Sequence, residues 1–260
     1  MSTLQISIAQ QVARVTLNRP EVRNALNDVL IAELTQAFAT LGARDDVRCI
    51  VLSAQGPTFC AGADLHWMQK MADCSQAENL ADAAQLAQLL RTMALCPKPT
   101  LAQVQGDVWG GGVGLVAACD MAVSIDQAQY GLSEVKLGLV PSTISPYVLR
   151  AIGARAAQRY FLTAERFSAQ EAERIGLIHA VATSPAALQS QVDAWTQALA
   201  QASLDALAEC KQLIARVAGQ PIDAGLIAHT VQVLADRRAS RQGREGIAAF
   251  LQKRKPGWVG

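Results

Sequence analysis

Three short segments carry residue types from which a reaction centre can be built. Phe59-Cys60-Ala61-Gly62-Ala63-Asp64-Leu65 is a small-residue turn at the exit of an apolar run. Gly110-Gly111-Gly112-Val113-Gly114 is a glycine-rich strand-to-helix turn. Tyr130-Gly131-Leu132-Ser133-Glu134 brings a carboxylate, followed by Leu137-Gly138-Leu139-Val140-Pro141. Small residues let a ligand approach the backbone, and a helix N-terminus offers unpaired N–H groups to an anion. Two such turns facing one pocket would make an oxyanion hole for developing negative charge. A glycine turn alone is usually just a tight connection. Two of them beside an acid point to chemistry.

Other chemistries fit less well. Gly112-Val113-Gly114-Leu115-Val116-Ala117 matches a G-x-G-x-x-A dinucleotide fingerprint, but Asp120 and a new strand follow almost at once. That leaves too little helix for the βαβ crossover such a site needs. His66, His179 and His229 lie far apart and form no ligand pair, so no metal is expected. Asp64 is expected to orient its turn or cap the next helix, and Asp120 to be structural. The six cysteines are scattered without a C-x-x-C, and read as buried free thiols.

The elements that must position these groups are legible in outline. Strands are expected at residues 4–8 and 12–17, with a break at Asn18-Arg19-Pro20. Asp28 can cap a helix whose apolar face is Leu30, Leu34, Phe38 and Leu41. Residues 48–53 read as a buried strand and 77–95 as a long helix stopped by Pro97 and Pro99. A strand at 100–105 runs into the glycines, and a short helix (113–118) and a strand (121–125) follow. The first half is therefore α/β with a largely parallel sheet. From Ile144 the pattern turns helical, broken near Gly153, Gly176 and Pro221, with helices at 185–202, 204–218 and 237–250.

Composition sets the outer bounds. Of 260 residues, 51% are apolar and 17% charged, so the chain can bury a substantial core. A net charge of +1 gives nucleic-acid binding no bulk electrostatic support. No secretory signal is read at the N-terminus, and no apolar run approaches the roughly 20 residues of a membrane span. A cytoplasmic protein without nucleic-acid or membrane partners is expected.

Taken in order, these segments resemble the crotonase (enoyl-CoA hydratase/isomerase) superfamily. The resemblance rests on Asn18-Arg19-Pro20, Asn24-Ala25-Leu26, the Cys60-to-Asp64 turn, the triple glycine with Cys119-Asp120, Glu134 with Gly138 to Pro141, and the tail from Phe250 to Pro256. It covers essentially the whole chain. It implies a ββα spiral core, assigned to residues 1–195, and a helical trimerisation region at 196–260. It also implies backbone N–H donors at Ala63 and Gly111 for a thioester oxygen, with Glu134 exchanging protons. Substrate and CoA contacts would come from Arg23, Ala25, Ala61, Asp64, Leu65, Gly110, Pro141, Ser142, Phe250 and Lys253, the last two in part from a neighbouring subunit. CoA belongs to the substrate, so no separate cofactor is implied. A homotrimer or homohexamer is expected.

Two departures narrow the reading. Many family hydratases carry a second glutamate where this chain has Gly114, so a two-acid mechanism does not transfer; a single glutamate is familiar from enoyl-CoA isomerases. Pro141 leads into Ser142-Thr143-Ile144-Ser145-Pro146-Tyr147 instead of a glycine-rich run. That segment looks most like methylglutaconyl-CoA or carboxygeranoyl-CoA hydratases, which implies hydration of a branched 2-enoyl-CoA. Ser142 to Ser145 hydroxyls or a substrate carboxylate would then help place water, and His66 could meet a carboxylated acyl chain.

Overall fold

The computed structural model describes residues 2–259. β1 (Leu4–Ala9) and β2 (Val12–Leu17) form an antiparallel hairpin whose turn residues Gln10 and Gln11 both have positive φ. Only Leu4 of β1 is buried, as suits an edge strand. α1 (Asp28–Gly42) buries Leu30, Leu34, Phe38 and Leu41 as the periodicity predicts. Its cap is Asn27, not Asp28: Asn27 Oδ1 accepts from Leu30 N at 2.9 Å, and Asp28 opens the first turn. Both residue types cap well, and only the backbone decides between neighbours.

A repeated unit then builds the body. β3 (Cys49–Ala54) passes to β4 (Thr58–Cys60), followed by α2 (Leu65–Ala72) and α3 (Gln76–Ala94). β5 (Thr100–Val104) passes to β6 (Asp107–Trp109) and α4 (Gly111–Ala118). β7 (Met121–Ile125) passes to β8 (Gln129–Gly131) and α5 (Ser145–Thr163). Each turn gives one strand to each of two sheets. The first sheet has order β1-β2-β3-β5-β7-β10 and is parallel from β2 onward. The second has order β4-β6-β8-β9, closed by β9 (Phe167–Ser168), with α6 (Ala169–Arg174) leading back to β10 (Ala180–Ala182). This is the ββα spiral that the resemblance implied.

The second sheet matters most for the site. β4, β6 and β8 run parallel, so their C-terminal ends leave at one edge. Those ends carry the Ala61-to-Asp64 turn, the glycine turn and Glu134. Ligands gather at the carboxyl ends of parallel strands for this reason. Strands of three residues leave no periodicity to read, so this sheet is implied by the resemblance alone and by no pattern of residues.

The main core packs Leu34, Phe38, Leu52, Phe59, Val113 and Tyr130 among others, between the sheets and their helices. α7 (Pro185–Ala200) seals the outer face of the first sheet with Leu188 and Val192 over Val51, Leu101 and Val123. α8 (Leu204–Val217), α9 (Ala224–Ala239) and α10 (Arg241–Leu251) complete a helical C-terminal part. The helix expected at 237–250 is divided at Ser240, which ends α9 and caps α10 by accepting from Gly243 N at 3.0 Å. No described helix is long and apolar enough to cross a membrane. All six cysteines are free; Cys49, Cys60 and Cys96 are buried, whereas Cys74 and Cys119 are half-buried and Cys210 is exposed, contrary to the expectation of buried thiols throughout.

Candidate active site

The site begins with a scaffold built on Asn24, a residue that the sequence marks only as part of a motif and to which it assigns no role. Asn24 is fully buried in a left-handed conformation (φ 55) and uses its whole amide. Its Oδ1 accepts from Arg19 N at 2.9 Å, and its Nδ2 donates to the carbonyls of Gln55 and Thr58, each at 2.8 Å. Asparagine tolerates this backbone better than most residues. The following segment is stitched to the first turn: Ala61 N donates to Arg23 O, Leu26 N to Gly62 O and Asp64 N to Leu26 O. Arg23, Ala25, Ala61 and Asp64 are thereby brought together.

Asp64 is fixed rather than free. Its Oδ1 accepts from His66 N and Trp67 N, which caps α2, while Oδ2 pairs with Arg19 Nη2 at 2.8 Å. Burial alone would raise its pKa, but the Arg19 guanidinium and the two N–H donors outweigh it and hold the carboxyl below the usual range. Its carboxylate is committed to the fold.

The two small-residue turns touch. Gly110, with φ 49 and ψ −117, holds a backbone open to glycine alone, and a Cβ placed there would lie 3.8 Å from Gly62 Cα. Gly110 N donates to Gly131 O at 2.9 Å, which ties this turn to β8. Ala63 and Gly111 follow the touching glycines. Their N–H groups meet no acceptor among the described residues, and Gly111 opens α4, whose dipole favours negative charge there.

Glu134 completes the cluster. It begins a short 3₁₀ turn (Glu134–Leu137) just past β8, and its Oε1 lies 3.3 Å from where a Cβ on Gly110 would sit. Its Oε2 is buried with no hydrogen-bond partner. Burial pushes the carboxyl above the usual glutamate range, with only its own backbone N–H acting against this. A desolvated acid beside two free N–H donors can move a proton while the donors hold an oxyanion.

Other expected contacts fall in different places. Leu65 and Ser142 are exposed near the cluster in sequence, and Pro141 is buried. Ser145 Oγ donates to Ser142 O, so that hydroxyl is engaged. His66 is exposed. Phe250 and Lys253 lie at the end of α10, and Phe250 is 82% exposed; neither is tied to the Glu134 cluster by a hydrogen bond among the described residues. Asp120 is structural: its Oδ2 accepts from Thr100 N, Thr100 Oγ1 and Lys211 Nζ. Among the described residues, no group of three or more His, Cys, Asp or Glu could hold a metal ion.

Comparison with known proteins gives this geometry a family. The model of the enoyl-CoA hydratase/isomerase family matches residues 7–260. The 2,3-dehydroadipyl-CoA hydratase of Escherichia coli is 33% identical, with 100% of each chain covered. The (E)-benzylidenesuccinyl-CoA hydratase of Thauera aromatica is 30% identical over 98% of each chain. A solved enoyl-CoA hydratase from Shewanella pealeana aligns with a TM-score of 0.96 at 40% identity, over 98% of this chain and 96% of that one. The chain is an enzyme of the enoyl-CoA hydratase/isomerase family, within the crotonase superfamily.

Proposed function

We propose that this enzyme adds water to a branched 2-enoyl-CoA, such as 3-methylglutaconyl-CoA, with Glu134 as its only proton-transfer residue. The observation that carries the reading is the desolvated Glu134 carboxylate, its Oε2 without a hydrogen-bond partner, beside the free N–H groups of Ala63 and Gly111. Glu134 takes a proton from water as the water oxygen bonds to the β-carbon. The C=C electron pair moves onto the thioester oxygen, where the two N–H donors stabilise the enolate. The same carboxyl then returns the proton to the α-carbon. Atoms and charge balance with one acid.

A second reading has its own support. One carboxylate suffices to carry a proton between two carbons, so the Gly114 position also favours Δ3,Δ2-enoyl-CoA isomerisation. An inert acyl-CoA-binding protein is disfavoured, because binding alone gives no reason to bury an unpaired carboxylate. A side-by-side assay with 3-methylglutaconyl-CoA, crotonyl-CoA and 3-hexenoyl-CoA decides. Water addition to the branched thioester supports the first reading; bond migration without hydration replaces it with the second.

The working form in this proposal is a homotrimer or homohexamer in the cytoplasm. Apolar residues on α9 and α10, Ile227, Val231, Ile247 and Leu251, are left exposed in the single chain, as an interface requires. Six free thiols suit a reducing compartment. In such an assembly Phe250 and Lys253 would reach the CoA of a neighbouring subunit. A monomer by light scattering would overturn that part.

A further inference from the structure

α2 is an unusual wall for a reaction site. It starts two residues after Ala63, so a thioester oxygen held by the Ala63 N–H must lie close to its first turn. None of its eight residues is buried, and Leu65 at its start is 80% exposed. A helix this short is not stable by itself, and here apolar burial adds little. Something else must fix it.

Beyond the Asp64 cap, two side-chain ties among the described residues reach from α2 to its neighbours. Lys70 Nζ approaches Asp28 at 3.7 Å, but both groups are exposed, and such pairs contribute little. Trp67 Nε1 donates to Asp82 Oδ1 on α3 at 3.0 Å. The Trp67 ring also rests against the rim of the main core. A hydrogen bond to a carboxylate is about twice as strong as a neutral one. Burial raises the Asp82 pKa, so that carboxylate has been partly stripped of water and depends on its indole partner.

We propose that the Trp67–Asp82 hydrogen bond is a latch that sets the position of α2 beside the bound thioester, and so sets which acyl groups the site accepts. Trp67 and Asp82 are positioning residues: they act through the helix and touch no reacting atom. This rests on Ala63 holding the thioester oxygen, and the test separates the two ideas. Hydrogen exchange needs no substrate. In Asp82→Leu and Trp67→Phe, amides of residues 66–72 should exchange at least about tenfold faster, while the sheets stay protected. Asp82→Asn keeps an acceptor oxygen without the charge and should fall between wild type and Asp82→Leu. In turnover, Asp82→Leu should change the ratio of kcat/KM for branched against linear enoyl-CoA severalfold, mainly through KM. Unchanged exchange at 66–72 overturns the latch even if no thioester is turned over. Faster exchange with an unaltered acyl preference in an active enzyme overturns it too, since the bond would then be only a structural tie.

Discussion

Ile144 occupies the space that a side chain at Gly114 would need: a Cβ built on Gly114 would lie 2.3 Å from Ile144 Cγ2 and 2.8 Å from its Cβ. Ile144 is itself buried in the main core, with Leu90 behind the same spot. The missing second glutamate is therefore a filled position, packed to core density, and not an empty slot awaiting an acid. Gly114→Glu should lose roughly 1–3 kcal/mol from overpacking, with a further cost for burying a carboxylate. Adding Ile144→Ala makes room. The double variant should recover much of the lost Tm and gain hydration of crotonyl-CoA. A fully stable, unaltered single variant would show that Ile144 is no barrier.

Glu134 predicts two pH effects of opposite use. As the base it must be ionised, so kcat/KM should rise with pH through a limb centred above the ordinary glutamate value of about 4.3. Glu134→Gln should lose roughly 10²–10⁴ in kcat. For stability, a carboxyl whose folded pKa is raised penalises the folded state above that pKa and is neutral once both states are protonated. Glu134→Gln should therefore be more stable than wild type near pH 7. The gain should shrink as pH falls through the raised folded value and be gone by about the unfolded glutamate value of 4.3. Thermal melts at both pH values check the sign.

These two residues also show what a sequence can and cannot disclose. Glu134 and the two small-residue turns stand out by residue type, whereas the choice of Ala63 and Gly111 within those turns rests on the family resemblance alone. The long elements were legible too, since β2, β3 and α1 are long enough to show a period or an apolar run. The second sheet was not, because β4, β6 and β8 have three residues each, yet it sets the relative placement of the two small-residue turns and Glu134. Asn24 offered only a faint clue, its tolerance of positive φ, and its partners Gln55 and Thr58 lie more than thirty positions away. Ile144 read as an ordinary apolar residue at the start of a helix. Its contact with Gly114 exists only once α4 and α5 are packed. The break at Ser240 hid inside an alanine- and arginine-rich stretch with neither glycine nor proline at the junction.

Gly110 should resist even the smallest change. With φ 49 and ψ −117 it occupies backbone space that alanine enters only with strain, and the added methyl would meet Glu134 Oε1 at 3.3 Å. Gly110→Ala should fold with a loss of about 1–3 kcal/mol. Its kcat should fall by more than its KM rises, because both the carboxylate and the neighbouring Gly111 N–H are displaced. Steady-state kinetics on whichever thioester the wild type turns over would test this. An equal change in KM with kcat preserved would place Gly110 outside the reacting geometry.

The Arg19–Asp64 pair predicts an acid-sensitive anchor under the first turn. Both groups are largely buried, and removing one partner of such a pair typically costs about 3–5 kcal/mol, because the other charge is left stranded. Asp64→Ala also removes the α2 cap, so it should be the more damaging change; Asp64→Asn keeps an oxygen for His66 N and should lose less. The Asp64 carboxyl is held below its ordinary range, so its contribution is complete above the unfolded value of about 3.9. It is lost as pH falls through the lower folded value. The Tm gap between wild type and Asp64→Asn should hold steady from pH 7 to 5 and close in stronger acid. A gap that persisted unchanged into strong acid would mean that the charge of Asp64 contributes nothing, and that its hydrogen bonds alone secure the turn presenting Ala63.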